Sequence, residues 1–146
     1  MRSLSVYASH DANISFLAPD GQYRIYELER LARQRYYSLD LDLARGRHDI
    51  LCKLYEIIKN EYPGIEFDRC FYGKPVLPTS MESVAAIFGI QDFTDVGHHF
   101  SHAAGAFKLS GYDKAFVLSY DGGGFDEDGT VGTFRVFLAD KETNTY

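Results

Sequence analysis

Short apolar segments separated by polar turns open the chain. Residues 4–8, 14–18 and 23–28 have the length and the β-branched and aromatic content of strands. Pro19-Asp20-Gly21 lies between the second and third segments and predicts a hairpin turn. These patterns predict a three-stranded meander. Residues 29–47 have no clear period and predict no element.

Three later segments have the apolar spacing of helices. In residues 49–60 the apolar side chains fall on one helical face. Thr79 and Glu82 have the spacing of a capping box and predict the start of a second helix, which Gly89 would end. A third helix is predicted over residues 98–107.

Strands are predicted between and after these helices. Residues 65–72 and 93–96 read as strands, and the uninterrupted apolar segment 115–120 is typical of a strand buried on both faces of a sheet. A turn at 126–129 then leads to a strand at 133–139. Helices and strands that alternate after a meander predict an α/β fold with a mixed sheet. Because the pattern near residue 115 resembles a second beginning, we expect the sequence to be part of a longer protein.

Composition and charge restrict the class of protein. The 146 residues are 45% hydrophobic and 25% charged, as in soluble globular domains. A net charge of −6 argues against a nucleic-acid-binding surface. Cys52 and Cys70 lack the CxxC spacing and predict no disulfide framework. No segment approaches the roughly 20 apolar residues of a membrane span, and no secretory signal is visible, so a cytoplasmic protein is expected.

The segment His98-His99-Phe100-Ser101-His102 carries the strongest chemical signal. Residues four apart on a helix lie about 40° apart around its axis, so His98 and His102 would share a face. His99 would point about 100° away from His98 and is a poorer ligand. Two imidazoles one turn apart can hold a metal ion, although ordinary solvated helices carry the same spacing. A protease site of the HExxH type is excluded because position 99 is His.

Two further polar segments follow predicted strands. Asp121 comes at the end of the apolar segment 115–120, where open α/β sheets present ligand-binding groups. Gly122, Gly123 and Gly124 follow it and would let backbone N–H groups approach an anion, or they form only a flexible turn. His10-Asp11 follows the first strand and reads either as a turn with a surface histidine or as part of a site.

Four segments together resemble the O-carbamoyltransferases of the nodulation-factor and antibiotic-tailoring type. In chain order they are His10-Asp11, Glu27-Leu28-Glu29-Arg30, His98-His99-Phe100-Ser101-His102-Ala103-Ala104 and Asp121-Gly122-Gly123-Gly124. The resemblance implies the first half of an actin/Hsp70-like (ribonuclease H-like) ATPase fold with the first hairpin of the second half. Residues 1–113 would form the first subdomain, and residues 114–146 would begin the second.

The same resemblance implies a metal site and a nucleotide site. His98, His102 and Asp121 would bind Fe2+ or Zn2+, and a further carboxylate would come from the remainder of the polypeptide. Asp121, Gly122, Gly123 and Gly124 would bind ATP, with Mg2+ as an accompanying ion. His10 and Arg30 would be catalytic, His10 in proton transfer or carbamoyl binding and Arg30 as a phosphate anchor. An ion pair of Arg30 with Glu27 or Glu29 is the alternative.

The implied reaction transfers a carbamoyl group from carbamoyl phosphate, through carbamoyl adenylate, to a hydroxyl of a small-molecule acceptor. Neither a nucleic acid nor a membrane is an expected partner. One alternative is a subunit of the tRNA threonylcarbamoyladenosine type, whose phosphate loop usually begins with Ser-Gly-Gly where this chain has Asp121. Another is a non-catalytic nucleotide-binding module of the same fold. No residue here identifies the acceptor.

Overall fold

Helices and strands alternate along the chain after an initial meander. The computed structural model describes residues 1–73, 77–126 and 128–146. The strands are β1 (Ser3–Tyr7), β2 (Asn13–Leu17), β3 (Tyr23–Glu27), β4 (Arg69–Gly73), β5 (Asp92–Val96), β6 (Lys114–Phe125) and β7 (Val131–Asp140). The helices are α1 (Leu28–Ala32), α2 (Leu39–Ala44), α3 (Asp49–Glu61), α4 (Pro78–Phe88) and α5 (His98–Leu109).

The chain divides into two compact units, Met1–Thr94 and Asp95–Tyr146. The first unit contains α1 to α4, and the second contains α5, β6 and β7. The subdomains predicted for residues 1–113 and 114–146 are those of an actin-like fold. Their boundary stays a prediction.

A five-stranded mixed sheet has the strand order β3-β2-β1-β4-β5. β2 is antiparallel to both β1 and β3, whereas β1 is parallel to β4. Leu4 of β1 lies opposite Phe16 of β2 and Cys70 of β4, and all three side chains are buried. The α/β class with a mixed sheet is therefore confirmed.

Aromatic rings and one face of α3 fill the core of the first unit. The ring of Phe16 lies 5.1 Å from that of Phe67 and 5.7 Å from that of Tyr62, measured between centroids. Leu51, Leu54 and Ile58 are the buried residues of α3. The predicted helix of residues 49–60 is confirmed, because its apolar face is the face that packs.

Loops and short helices in the first unit depart in part from the predictions. The hairpin turn at Pro19-Asp20-Gly21 is confirmed, and the Gly21 N–H donates to the Ala18 carbonyl at 2.9 Å. The segment 29–47, for which no element was predicted, contains most of α1 and all of α2. Both are too short to show a helical period in the sequence.

The predicted capping box at Thr79 and Glu82 is wrong. Helix α4 begins at Pro78, so Thr79 already lies inside it. The N-cap residue is Leu77, whose apolar side chain forms no capping hydrogen bond. The buried carboxylate of Asp40, in α2, instead accepts hydrogen bonds from the Leu77 N–H at 3.3 Å and from the Ser80 hydroxyl. Gly89 ends the helix with φ of +71°, as predicted.

In the second unit, α5 packs on a ribbon formed by the antiparallel strands β6 and β7. The prediction that residues 115–120 are buried on both faces is wrong, because Phe116 and Tyr120 are 81% and 80% exposed. Nor does the strand end at Asp121: β6 continues to Phe125, with an irregular register between Tyr120 and Gly124.

None of the helices in the described residues is long and apolar enough to cross a bilayer. A cytoplasmic location stays a prediction.

Candidate metal centre

His98, His102 and Asp121 converge in the second unit. Nε2 of His98 lies 2.7 Å from Oδ2 of Asp121, and Nε2 of His102 lies 3.4 Å from the same oxygen. The two imidazole rings are 4.8 Å apart between centroids and nearly perpendicular. One ligand atom from each of the three residues lies within 4.8 Å of the others. The structure thus brings together the three residues that the sequence predicted as metal ligands.

Helix and strand geometry explain this convergence. Helix α5 begins at His98 after the N-cap Gly97, so His98 and His102 are one turn apart on one face. Asp121 lies in β6, on which α5 packs. His98 is mostly buried, whereas His102 and Asp121 are partly open to solvent. A cavity of about 470 Å3 borders His102 and Asp121 and leaves room for a further ligand.

The carboxylate of Asp121 is held in its ionised form. The hydrogen bond with His98 is the main cause that lowers the pKa of Asp121, followed by the bond from the Gly122 N–H. That N–H reaches Oδ1 at 2.5 Å, while both histidines face Oδ2. A metal ligand must be deprotonated, so these contacts favour the ligating form of Asp121.

The donor set fits a divalent metal ion such as Zn2+ or Fe2+. Two imidazoles and one carboxylate are common ligands of both ions. Metal–ligand distances of about 2.0–2.2 Å in a tetrahedral site place neighbouring ligand atoms about 3.3–3.6 Å apart. The distance from His102 to Asp121, 3.4 Å, matches that spacing. The distance from His98 to Asp121, 2.7 Å, is that of a hydrogen bond, which an ion would replace after a small movement of the ring.

Gly124 provides the space that the His98 ring occupies. A Cβ atom at Gly124 would lie 2.1 Å from both Cγ and Cδ2 of His98. A Cβ atom at Gly122 would meet no described heavy atom within 4 Å. Gly123 has φ of +142°, a conformation that other residues rarely adopt. The glycines therefore shape the histidine site, and their predicted role in binding phosphate stays a prediction.

His99 is buried, and its hydrogen bonds go to residues other than the three candidate ligands. Its Nδ1 lies 2.9 Å from the Ser119 hydroxyl, and its Nε2 lies 2.9 Å from the Gly132 carbonyl oxygen. Its backbone N–H donates to Asp126 at 3.1 Å. The sequence predicted that His99 is a poorer ligand than His98 and His102, but it missed Ser119 and Asp126. The position of Ser119, two residues before Asp121 on one strand, was the available signal, because such residues share a face.

An arginine and two aspartates organise the turn between β6 and β7. Arg135 pairs with the buried Asp126 at 2.8 Å and with Asp128 at 3.0 Å. Hydrogen bonds from the Thr130 hydroxyl and N–H, and then from Arg135, lower the pKa of Asp128 to about 2. These contacts hold Asp126 where it accepts the hydrogen bond from the first turn of α5.

The predicted catalytic residues His10 and Arg30 lie in the first unit. Nδ1 of His10 is 2.8 Å from the Asp11 carboxylate, and both side chains are more than half exposed. Asp11 has φ of +57°, which is unusual for a residue other than glycine. Arg30 is exposed and forms an ion pair with Glu27, which raises the pKa of the guanidinium. This is the alternative interaction that the sequence allowed for Arg30.

Comparisons of the chain with protein-family models, curated proteins and solved structures found no match.

Proposed function

We propose that the chain is part of an ATP-dependent O-carbamoyltransferase in which His98, His102 and Asp121 hold Fe2+ or Zn2+. The observation that carries this proposal is the convergence of the three side chains within 4.8 Å. The motif resemblance assigned them to one site, although His102 and Asp121 are 19 positions apart in the sequence. A mixed sheet with an initial meander is compatible with the actin-like fold that the family implies.

When bound, the ion would supply positive charge that stabilises negative charge on phosphate or carbamoyl oxygens. The protein would fix the site through its own contacts. The Gly122 N–H holds one oxygen of Asp121 and leaves the other facing the histidines. The more exposed His102 lies on the side that is open to solvent and thus to substrate.

The roles of ATP and carbamoyl phosphate follow from the same resemblance. Backbone N–H groups of Gly122, Gly123 and Gly124 would lie near the nucleotide phosphates, with Mg2+ as counterion. Nδ1 of His10 contacts Asp11, which leaves Nε2 available for proton transfer. Arg30 would exchange Glu27 for a phosphate, and such an exchange costs little because the ion pair of Arg30 with Glu27 is exposed to solvent.

Release of pyrophosphate tests the activity. Water would cleave carbamoyl phosphate to carbamate and inorganic phosphate, and the carbamate would attack the α-phosphorus of ATP, which releases pyrophosphate. The acceptor hydroxyl would then attack carbamoyl adenylate and release AMP. We expect the full-length polypeptide to release pyrophosphate from ATP only when carbamoyl phosphate is added. His98→Ala should abolish that release, whereas the matched change His48→Ala in the first unit should leave it intact. Retention of both metal and pyrophosphate release by His98→Ala would contradict the proposal.

One observation favours the non-catalytic alternative. His98 and Asp121 form a hydrogen bond that satisfies both groups without an ion. A module that only binds nucleotide would retain this bond, bind ATP and hold no metal. Analysis of metal content and of ATP binding in the full-length chain separates the two functions. The subunit of the tRNA threonylcarbamoyladenosine type is distinguished by transfer of its product to tRNA instead of a small hydroxyl compound.

A further inference from the structure

Side-chain and backbone groups of His99 connect the first turn of α5 to both strands of the ribbon. The imidazole contacts Ser119 in β6 and the carbonyl of Gly132 in β7. The backbone N–H contacts Asp126, in the turn between those strands. The side chain is fully buried, so water does not compete for these contacts.

The partners of His99 engage both ring nitrogens and fix the orientation of the ring. A carbonyl oxygen only accepts hydrogen bonds, so Nε2 of His99 must carry the proton that bonds to Gly132. Nδ1 lies within hydrogen-bond distance of the Ser119 hydroxyl, which can both donate and accept. Both ring nitrogens are therefore engaged, and neither is available to a metal ion.

Two neighbouring connections join α5 to β6. His99 contacts Ser119, and the adjacent His98 contacts Asp121. Ser119 and Asp121 are two residues apart on one strand and so present their side chains to the same face of the ribbon. The position of Ser119 relative to His99 therefore sets the position of Asp121 relative to His98.

We propose that His99, held by Ser119 and Gly132, is a positioning residue that fixes α5 so that His98 and His102 face Asp121. This inference rests on the metal site of the proposed function. Buried groups that orient metal ligands change metal affinity by about 10- to 100-fold when they are removed. His99 acts on the position of the helix that carries two ligands, so we expect an effect of the same order.

Metal affinity of the full chain, measured with and without the His99 contacts, tests the proposal. Ser119→Ala removes one contact and little volume, so the protein should still fold. Zn2+ affinity is measured by competition with a chromogenic chelator, and ligand geometry by the visible spectrum of bound Co2+. We expect Ser119→Ala to bind Zn2+ at least about 10-fold more weakly and to alter the Co2+ spectrum.

A conservative variant of His99 adds a second arm to the test. His99→Gln retains an amide donor for the Gly132 carbonyl, whereas His99→Leu retains neither hydrogen bond. We expect His99→Gln to keep more of the Zn2+ affinity than His99→Leu. If His99 contributed only to stability, both variants would have a lower melting temperature, and His99→Gln would bind Zn2+ no more tightly than His99→Leu.

Phe107→Leu provides the matched control. Phe107 is buried in the same helix, eight residues after His99, which corresponds to about 12 Å along the axis. This change should lower the melting temperature of the metal-free protein and leave Zn2+ affinity within about twofold of the original, since it touches none of the His99 contacts.

The outcomes separate this inference from the proposed function. If the unsubstituted chain binds Zn2+ through His98 and Asp121, and Ser119→Ala and His99→Leu bind it equally tightly, the positioning role is wrong and the metal site stands. If the unsubstituted chain binds no metal, or if His98→Ala and Asp121→Ala do not weaken binding, the metal site and the positioning role are both wrong.

Discussion

Replacement of Gly124 by alanine should damage the candidate metal site without removing any of its ligands. The new Cβ atom would lie 2.1 Å from two ring atoms of His98 and 2.6 Å from Nδ1. Non-bonded carbon atoms prefer a separation of about 3.5–4.0 Å, so the ring must move by more than about 1 Å. The side chains of a binding site must stay within about 0.5 Å of their productive positions for the site to bind its ligand.

Two effects of Gly124→Ala follow from this displacement. Forcing a methyl group into a packed region costs about 1–3 kcal/mol in the free energy of unfolding. The His98 imidazole would also leave the position from which it reaches Asp121. Zn2+ affinity should therefore fall by about 100-fold, the upper end of the range for the loss of groups that orient metal ligands.

Gly122→Ala is the matched control for this prediction. The added methyl group at Gly122 would have no described heavy atom within 4 Å, and the φ of this residue lies outside the left-handed region. The free energy of unfolding should therefore change by no more than about 0.5 kcal/mol. Urea unfolding of the metal-free proteins and chelator competition for Zn2+ measure the two effects. Equal unfolding midpoints and equal Zn2+ affinities for the two variants would refute the steric argument.

Three further predictions concern stability and reactivity. Asp40→Ala leaves the buried Ser80 hydroxyl without this acceptor and should cost about 1–3 kcal/mol in urea unfolding, whereas an unchanged midpoint would contradict a stabilising role of this hydrogen bond. Burial raises the pKa of Cys70 to about 12, so a thiol reagent at pH 8 should modify only the exposed Cys52 until the protein unfolds; rapid reaction of both would contradict this. The pKa of Asp128 is lowered to about 2, so its stabilisation is present above its unfolded value near 3.8 and is lost as pH falls towards 2. Asp128→Asn should therefore flatten the loss of melting temperature between pH 5 and 2, and a parallel loss would refute the effect.

The elements that were predicted correctly are those that a short segment specifies without contacts to distant residues. Helix α3 was predicted because its apolar period is also the period of its buried face. The hairpin at Pro19-Asp20-Gly21 was predicted because turn residues specify the backbone by themselves. The shared face of His98 and His102 follows from helix geometry alone.

Contacts between distant segments explain the parts that the sequence could not predict. The buried hydrogen-bond partner at the start of α4 is Asp40, which is 40 positions before Ser80. Ile65 and Phe67 are buried in the alternating pattern of a strand, but β4 begins only at Arg69. Alternating apolar residues predict which side chains are buried, and they do not predict where backbone pairing with a neighbouring strand begins. The exposure of Phe116 depends on which segments pack against the ribbon, and a single strand does not encode that.

The sequence indicated three residues that converge in the structure, but it did not indicate the residues that support them. Helical spacing indicated His98 and His102, and the family resemblance added Asp121, but neither indicates that the ring of His98 requires a glycine at 124. The sequence left two partners open for Arg30, and the structure shows the ion pair with Glu27. A choice between surface partners depends on side-chain conformations that no motif specifies.

X-ray absorption at the metal edge, combined with metal analysis after dialysis against Zn2+, is the decisive measurement for the site of His98, His102 and Asp121. We predict a single bound ion per chain with imidazole nitrogen and carboxylate oxygen ligands, lost in His98→Ala and in Asp121→Ala. His10→Ala should retain it, although His10 also contacts an aspartate. An ion that survives the loss of His98 and of Asp121, or a chain that binds none, would show that these residues form no metal centre.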